Sequence, residues 1–158
     1  MNPAVLNKEF MPIAINISGK KILLLGGGRV ALHKIQSLQQ YHSDIHVLAI
    51  EVCDEIKSLG IHYTEKPYET RDLKGAFLVY ACTNIKSLNE TVYNDCKERG
   101  ILVNVVDNPP LCDFVSPAIY KQGYMSIAVT SNARSVYKSI EIRNIIKSFL
   151  ENDKPSVL

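Results

Sequence analysis

The 158-residue sequence predicts an α/β fold, with a parallel sheet followed by a small hairpin-plus-helix segment. Short apolar runs alternate with segments of helical periodicity at regular spacing, which is typical of a parallel sheet. Three consecutive glycines, Gly26–Gly28, follow the first apolar run directly. After Asp107 the pattern changes to two strand-like runs and one helix, which predicts the C-terminal segment.

Short apolar runs predict the strands of the sheet. Lys21–Leu25 is a predicted buried strand because it is apolar and ends at the glycines. Pro12–Ile17 alternates weakly and predicts an edge strand before it, with a turn at Ser18–Lys20. The other runs predict strands at Ile45–Ile50, Ile61–Thr64, Ala76–Cys82 and Ile101–Val106.

Segments of helical spacing separate these strands. In Arg29–Gln40 the apolar residues recur every three or four positions, as on one face of a helix. Val52–Leu59 and Ser87–Arg99 are predicted helices. Each is followed by a glycine, the residue preferred just beyond a helix C-terminus.

The last part of the chain predicts an antiparallel hairpin and a helix. Phe114–Tyr120 and Tyr124–Thr130 are the predicted strands, joined at Lys121–Gly123, and Ser135 is the predicted helix cap. These elements cannot bury much apolar surface alone, so they should pack on the sheet domain or on a second copy of themselves. The predicted domains are residues 1–113 and 114–158.

Composition excludes several classes of function. No apolar run approaches the roughly 20 residues of a membrane span, and no signal peptide is visible, so we expect a cytoplasmic protein without a membrane partner. The cysteines and histidines lack metal-binding spacing, so no metal site is expected. Residues 1–113 hold 12 basic and 13 acidic side chains and no basic strip, so nucleic acid is not an expected partner.

The C-terminal segment is mildly basic. Residues 114–158 carry six basic and three acidic side chains. That charge suits a ligand with several carboxylates, and it is also compatible with a solvated helix face.

The strongest local motif is the glycine turn, which has the G-x-G-x-x-A form of a dinucleotide-binding fingerprint. Gly26 allows the tight turn from strand to helix, Gly28 lets the backbone approach a pyrophosphate, and Ala31 keeps the helix close to the sheet. The motif follows a predicted strand and opens a predicted helix, which is the context it requires. We therefore predict a Rossmann-type sheet that binds a dinucleotide.

Two acidic residues have candidate roles at strand ends. Glu51 follows the second strand, where a carboxylate can bind the ribose hydroxyls and favour NAD over NADP. Asp107 follows Ile101–Val106, where ligands bind in open α/β sheets and where a carboxylate can move protons. Spacing alone also allows Asp107 to be a turn or cap residue, and the same two interpretations apply to Asp113.

The order of motifs resembles the precorrin-2 dehydrogenase family, which also forms the N-terminal part of siroheme synthases. The resemblance covers roughly residues 11–150. The residues that carry it are Met11–Ile13, Leu25–Ala31 with Lys34, Ala81–Asn84 with Asn89, Gly100–Asp107, Leu111–Phe114 and the hairpin with Pro117–Ile119.

The resemblance implies an enzyme that uses NAD to oxidise precorrin-2 to sirohydrochlorin, and some family members also act as ferrochelatases. It implies a homodimer formed through the segment that matches residues 114–150. By the same resemblance Asp107 is the general acid or base. The cofactor contacts that we predict are Gly26, Gly28, Arg29, Val30, Ala31, Ile50, Glu51 and Thr83, and the substrate contacts are Ser131, Arg134 and Arg143.

One segment departs from the family pattern. The family has Ser/Thr-Gly-Gly-x-Ser-Pro where this chain has Thr130–Val136, so both glycines and the proline are replaced. This loop motivates an alternative hypothesis, a non-catalytic NAD- or tetrapyrrole-binding or sensing protein of haem synthesis. A dehydrogenase acting on another substrate is a third hypothesis.

Overall fold

The computed structural model describes residues 8–41 and 44–152. These residues form two compact units. The first is Ile15–Phe114, and the second contains residues 8–14 and 115–152 of the described chain.

The first unit is a five-stranded parallel sheet in the order β3-β2-β1-β4-β5, which is the order of the first five strands of a Rossmann fold. The predicted α/β architecture is therefore confirmed. Its elements are β1 Lys21–Leu25, α1 Arg29–Gln39, β2 Asp44–Ala49, α2 Asp54–Lys57, β3 His62–Glu65, a 3₁₀ turn at Thr70–Leu73, β4 Ala76–Ala81, α3 Lys86–Glu98, β5 Leu102–Val105 and a 3₁₀ turn at Pro109–Leu111.

Alternate residues of the strands build two apolar layers, one on each face of the sheet. Ile22 and Leu24 of β1 pack in one cluster with Ile35 of α1. Leu23 and Leu25 face the other way, in a cluster with residues of α3. Each fully buried aliphatic side chain of this kind contributes about 1.5–3 kcal/mol to stability, so the sheet is a rigid base for the loops at its edge.

Two elements predicted before β3 differ from the structure. The edge strand predicted at Pro12–Ile17 is absent, and residues 8–17 have no regular structure, because Pro12 cannot donate to a ladder and Met11 and Ile13 lie exposed. The helix predicted over Val52–Leu59 is a single turn, α2. It begins only at Asp54 because Cys53 is still extended, with φ of −66° and ψ of 152°. The Val52 N–H binds the Glu65 carboxylate and the Cys53 N–H binds the Gly27 carbonyl, so both residues are tied to neighbouring segments before the helix begins.

The second unit contains the predicted hairpin and helix. Its elements are β6 Ala118–Gln122, β7 Met125–Val129 and α4 Val136–Asn152. The strands pair antiparallel, and the turn lies at Gly123 and Tyr124, slightly later than predicted, because Lys121 and Gln122 still pair with β7. The Ser135 hydroxyl oxygen accepts the Lys138 N–H at 3.1 Å, which confirms Ser135 as the cap of α4.

Much of the apolar surface of α4 is exposed in this chain. Tyr137, Ile145 and Phe149 are 79%, 62% and 58% exposed, and Ile145 and Phe149 are one helical turn apart. Among the helices of the described chain, none is long and apolar enough to cross a membrane.

Candidate functional site

The predicted site residues of the first unit follow four different strands at one edge of the sheet. Gly26 follows β1, Ile50 and Glu51 follow β2, Thr83 follows β4 and Asp107 follows β5. All these strands are parallel, so their carboxyl ends meet at the same edge. From β1 the chain adds β2 and β3 on one side of the sheet and then β4 and β5 on the other, so a topological switch point lies between β1 and β4. Open α/β sheets bind ligands at such a point.

The glycine turn is held by close approach of three backbone segments. Gly26 has a φ of 126°, and a Cβ there would lie 2.7 Å from the carbonyl oxygen of Cys82. A Cβ at Gly27 would lie 2.7 Å from the Cα of Val52 and closer still to the Glu51 carbonyl oxygen. The motif predicted roles for the glycines on either side of Gly27, whereas the structure gives Gly27 the tightest packing.

The amino end of α1 is open. A Cβ at Gly28 would meet no atom within 4 Å, and no side chain caps the first turn. Arg29 and Val30 are exposed beside it, whereas Ala31 is fully buried against the sheet. Uncapped N–H groups and the helix dipole favour an anion at this position, so the turn fits the pyrophosphate of a dinucleotide.

The loop after β2 presents an apolar and an acidic side chain to solvent. Ile50 is 71% exposed, and Glu51 is also exposed. The Glu65 carboxylate holds the next residue by accepting the Val52 N–H at 2.8 Å, and it pairs with Lys57 at 3.0 Å. These contacts, the backbone hydrogen bond first, lower the pKa of Glu65. Sequence patterns gave Glu65 no role.

Thr83 is locked in place by a buried asparagine. The Thr83 hydroxyl donates to Asn89 Oδ1 at 2.7 Å, and Asn89 Nδ2 donates back to the Thr83 carbonyl at 2.9 Å. Asn89 lies on the buried face of α3 and is 7% exposed. The sequence signals for this residue were its place on an apolar helix face and its match to the family pattern, and neither indicated that it holds Thr83.

Asp107 and Asp113 have different surroundings. Asp107 is exposed in a left-handed turn with φ of 61°, and its carboxylate accepts no hydrogen bond from the described residues. Asp113 accepts hydrogen bonds from Lys97 Nζ at 2.7 Å and from the Val103 N–H at 3.2 Å. The Asp113 hydrogen bond raises the pKa of Lys97. Asp113 is thus a structural residue, and the Asp107 carboxylate is available to a ligand.

Cys82 and Lys34 lie near Asp107. Burial raises the pKa of the Cys82 thiol to about 12, so this cysteine is inert as a nucleophile at neutral pH. Burial lowers the pKa of Lys34, and the charge of Asp107 opposes that shift. Across residues 8–41 and 44–152, no group of three or more histidine, cysteine or acidic side chains could hold a metal ion.

The three predicted substrate contacts in the second unit differ in their availability. The Ser131 hydroxyl is used in a turn with Ser135, through bonds of 2.7 and 2.9 Å. Arg143 donates to the Ile119 carbonyl at 2.7 Å and so ties α4 to β6. Arg134 is 69% exposed, and its guanidinium is 3.9 Å from the Glu9 carboxylate.

The loop that lacks the family glycines keeps a glycine-like backbone. Asn132 and Ala133 both adopt positive φ, 54° and 59°. Asparagine adopts positive φ with little strain, whereas alanine adopts it only at a cost in conformational free energy. The Asn132 side chain also accepts the Phe10 N–H at 2.6 Å and donates to Glu9 at 2.8 Å, so it holds residues 8–10 against the loop.

Residues 13–118, more than half of the chain, match the model of a family described as "Putative NAD(P)-binding". The chain belongs to this NAD(P)-binding family. The glycine turn, the loop after β2 and Asp107 all lie within the matched residues.

Two curated relatives are named for siroheme synthesis. The "Probable multifunctional siroheme biosynthesis protein HemA" of Ruminiclostridium josui is 36% identical over 85% of this chain and 28% of its own length. The "Siroheme synthase" of Buchnera aphidicola is 32% identical over 91% of this chain and 31% of its own length. The chain thus spans about a third of the length of these relatives.

A solved structure shares the fold. The chain is similar to "SirC, precorrin-2 dehydrogenase" with a TM-score of 0.77 and 24% identity. The match covers 88% of this chain and 70% of that one.

Proposed function

We propose that this protein is a precorrin-2 dehydrogenase, an oxidoreductase that uses NAD to form sirohydrochlorin for siroheme. The observation that carries the proposal is that an open glycine turn and the available Asp107 carboxylate share one edge of the sheet. The names of the relatives supply the substrate: siroheme synthases match over most of the chain, and a precorrin-2 dehydrogenase has the same fold.

The proposed cofactor contacts form three groups, and each group contacts a different part of NAD. The pyrophosphate lies against Gly26, Gly28 and Arg29 at the amino end of α1, with Ala31 behind them. The exposed apolar side chains of Val30 and Ile50 border the adenine, and Glu51 binds the ribose hydroxyls. A carboxylate at Glu51 repels a 2′-phosphate, so we propose NAD rather than NADP. Thr83, held by Asn89, contacts the nicotinamide half.

The proposed chemistry is a hydride transfer coupled to a proton transfer. Bound NAD supplies the acceptor of the hydride. Asp107 takes the proton that the macrocycle loses, so two electrons and two hydrogens leave precorrin-2. A solvent-facing carboxylate with no hydrogen bond to the described residues is able to accept that proton. The same carboxylate is the proposed proton acceptor if ferrous iron is also inserted.

The second unit has a proposed role in dimerisation and substrate binding. We assign residues 1–113 to NAD binding and residues 114–158 to a homodimer interface, of which residues 153–158 lie outside the described chain. The exposed side chains of Tyr137, Ile145 and Phe149 support that assignment. Ser131, Arg134 and Arg143 remain proposed substrate contacts. Arg134 is the best placed of them because its guanidinium is exposed.

A second candidate function is binding or sensing without catalysis, in the cytoplasm where we place the protein. The replaced loop favours it, because Asn132 and Arg134 lie beside the Glu9 carboxylate rather than in an open glycine loop. The positive φ angles of Asn132 and Ala133 favour the dehydrogenase, because they preserve the backbone that glycines would adopt.

A turnover assay distinguishes the two. Purified protein is mixed with enzymatically generated precorrin-2 and NAD without oxygen, and the spectra of NADH and sirohydrochlorin are recorded. The dehydrogenase produces both in equal amounts. A sensor binds NAD in a parallel titration but yields neither product. A third sample with sirohydrochlorin and ferrous iron tests for chelatase activity.

A further inference from the structure

Lys34 lies in unusual surroundings for a lysine. It belongs to α1, one and a half helical turns after the glycine turn, and it is half-buried rather than exposed. Its Nζ lies over the ring of Tyr80, 5.7 Å from the centroid. Tyr80 is 6% exposed and is fixed by an edge-to-face contact with Phe114 at 5.3 Å.

The ammonium has no acceptor of its own among the residues that the structure describes. Within residues 8–41 and 44–152, Lys34 makes no hydrogen bond and no ion pair. Its interaction with the Asp107 carboxylate acts through space, beyond ion-pair distance. A lysine ammonium has three donors, and partial burial without acceptors is unfavourable. The ring of Tyr80 attracts the charge but accepts no conventional hydrogen bond.

We propose that Lys34 is a substrate-positioning residue whose ammonium receives a carboxylate side chain of the macrocycle beside Asp107. The inference rests on the proposed function, because precorrin-2 carries several carboxylates. It extends the predicted substrate contacts, all of which lie in the second unit, to the edge of the sheet that carries Asp107. One charge-assisted hydrogen bond there would orient the ring relative to the proton acceptor.

The pyrophosphate of the cofactor is a less suitable partner for this ammonium. The proposed phosphate position is at the first turn of α1, whereas Lys34 Nζ is directed to the Tyr80 ring near the end of β4. The experiment therefore includes NAD and a tetrapyrrole separately.

The pH dependence of binding follows from the groups that face Lys34. Burial lowers the pKa of Lys34, while Cys82, Asp107 and Cys112 oppose the shift, and Tyr80 adds no charge at neutral pH. As pH rises through that lowered pKa, the ammonium loses its charge and an anion is released. An arginine at this position keeps its charge throughout.

The test compares Lys34→Met and Lys34→Arg with the unchanged protein. Uroporphyrin III, which has eight carboxylates and is not a substrate, serves as the equilibrium probe by fluorescence. We expect Lys34→Met to weaken uroporphyrin binding and raise KM for precorrin-2 on the order of tenfold, with the Kd for NAD unchanged. Lys34→Arg should restore binding at neutral pH and retain it at alkaline pH, where the unchanged protein loses it.

Two results would overturn the inference. One is uroporphyrin binding by Lys34→Met that equals the unchanged protein, with thermal unfolding confirming an intact fold. The other is a loss of NAD affinity in Lys34→Met, which would assign the ammonium to the cofactor. If the unchanged protein binds uroporphyrin through Lys34 but does not oxidise precorrin-2, the dehydrogenase proposal fails and the carboxylate site stands.

Discussion

Gly27 packs directly on the backbone of Val52, with space for no side-chain atom between them: a Cβ on Gly27 would lie 2.7 Å from the Val52 Cα. The Gly27 carbonyl also accepts the Cys53 N–H at 2.8 Å. The glycine turn after β1 and the loop after β2 are therefore one packed unit. The position of Glu51, the proposed ribose contact, depends on the absence of a side chain at Gly27.

Gly27→Ala should destabilise the protein. The added methyl would contact main-chain atoms of Glu51 and Val52, which cannot move aside as a flexible side chain can. Overpacking of this kind costs about 1–3 kcal/mol. Chemical unfolding monitored by circular dichroism measures the loss.

Gly28→Ala is the matched control for that substitution. Its φ of −102° suits alanine and its methyl would meet no atom within 4 Å, so the free energy of unfolding should stay within about 0.5 kcal/mol of the original. If the pyrophosphate approaches Gly28, NAD affinity should nevertheless fall at least about tenfold, or 1.4 kcal/mol. Unchanged NAD affinity in Gly28→Ala would remove the pyrophosphate from this turn.

Ala133→Gly should stabilise the second unit. Ala133 has a φ of 59°, which is unfavourable for a side chain with a Cβ, and glycine removes that strain. We expect a gain of about 0.5–1 kcal/mol in the free energy of unfolding.

Asn132→Gly tests the same loop with the opposite expectation. It also introduces a family glycine, yet it removes the hydrogen bonds of 2.6 Å to the Phe10 N–H and 2.8 Å to Glu9. Its thermal midpoint should lie below that of Ala133→Gly. Equal midpoints would mean that the Asn132 side chain does not hold residues 8–10.

Glu65 should make stability depend on pH in the acid range. Its hydrogen bond with the Val52 N–H and its pairing with Lys57 lower the pKa of Glu65 from the ordinary 4.5. A carboxyl with a lowered pKa contributes stability above its unfolded pKa and loses it as pH falls through the folded pKa. Glu65→Gln should therefore lower the thermal midpoint at pH 7 and reduce its fall below pH 4.5.

Glu90→Gln is a suitable control for this titration. Glu90 is exposed on α3 and forms no ion pair within the part of the chain that the structure describes. Its replacement should leave the acid transition unchanged. Parallel acid transitions in Glu65→Gln and the original protein would show that this contact does not couple folding to pH.

Ile145→Lys should weaken the proposed homodimer. Ile145 is 62% exposed in the single chain, and a charge placed in an apolar interface would be desolvated. We expect dimer affinity to fall by at least about 2 kcal/mol, or roughly 30-fold, by sedimentation. Lys147→Gln, which removes an exposed ion pair with Glu151 on the same helix, should have no such effect. A monomer at all concentrations before substitution would contradict the interface.

The sequence predicted the strands of the sheet well, because buried parallel strands are continuous apolar runs that end at turns. It predicted α2 too long, because Val52 and Cys53 are tied to the Glu65 side chain and the Gly27 carbonyl, and Cys53 is extended before the helix. Such contacts join residues distant in the chain, and a local pattern cannot show them. For the same reason the sequence did not predict the close packing of Gly27, the contacts of Glu65 or the surroundings of Lys34.

The residues predicted as cofactor contacts after β1, β2 and β4, and Asp107 after β5, lie at one edge of the sheet because parallel strand ends meet there. That they form a binding site stays a prediction. The contacts of side chains outside the glycine motif could be determined only from the structure. Asp107 and Asp113 are equivalent as sequence signals, yet only Asp113 is held by hydrogen bonds, from Lys97 and Val103.

Asp107→Asn tests most directly whether Asp107 moves a proton during oxidation by NAD. Asparagine tolerates the positive φ at this position and has nearly the same shape, so the fold and the Kd for NAD should not change. In an anaerobic assay with precorrin-2 and NAD, we expect the rate of joint NADH and sirohydrochlorin formation to fall on the order of 100-fold or more. A variant that forms both products at the original rate would show that Asp107 does not move this proton.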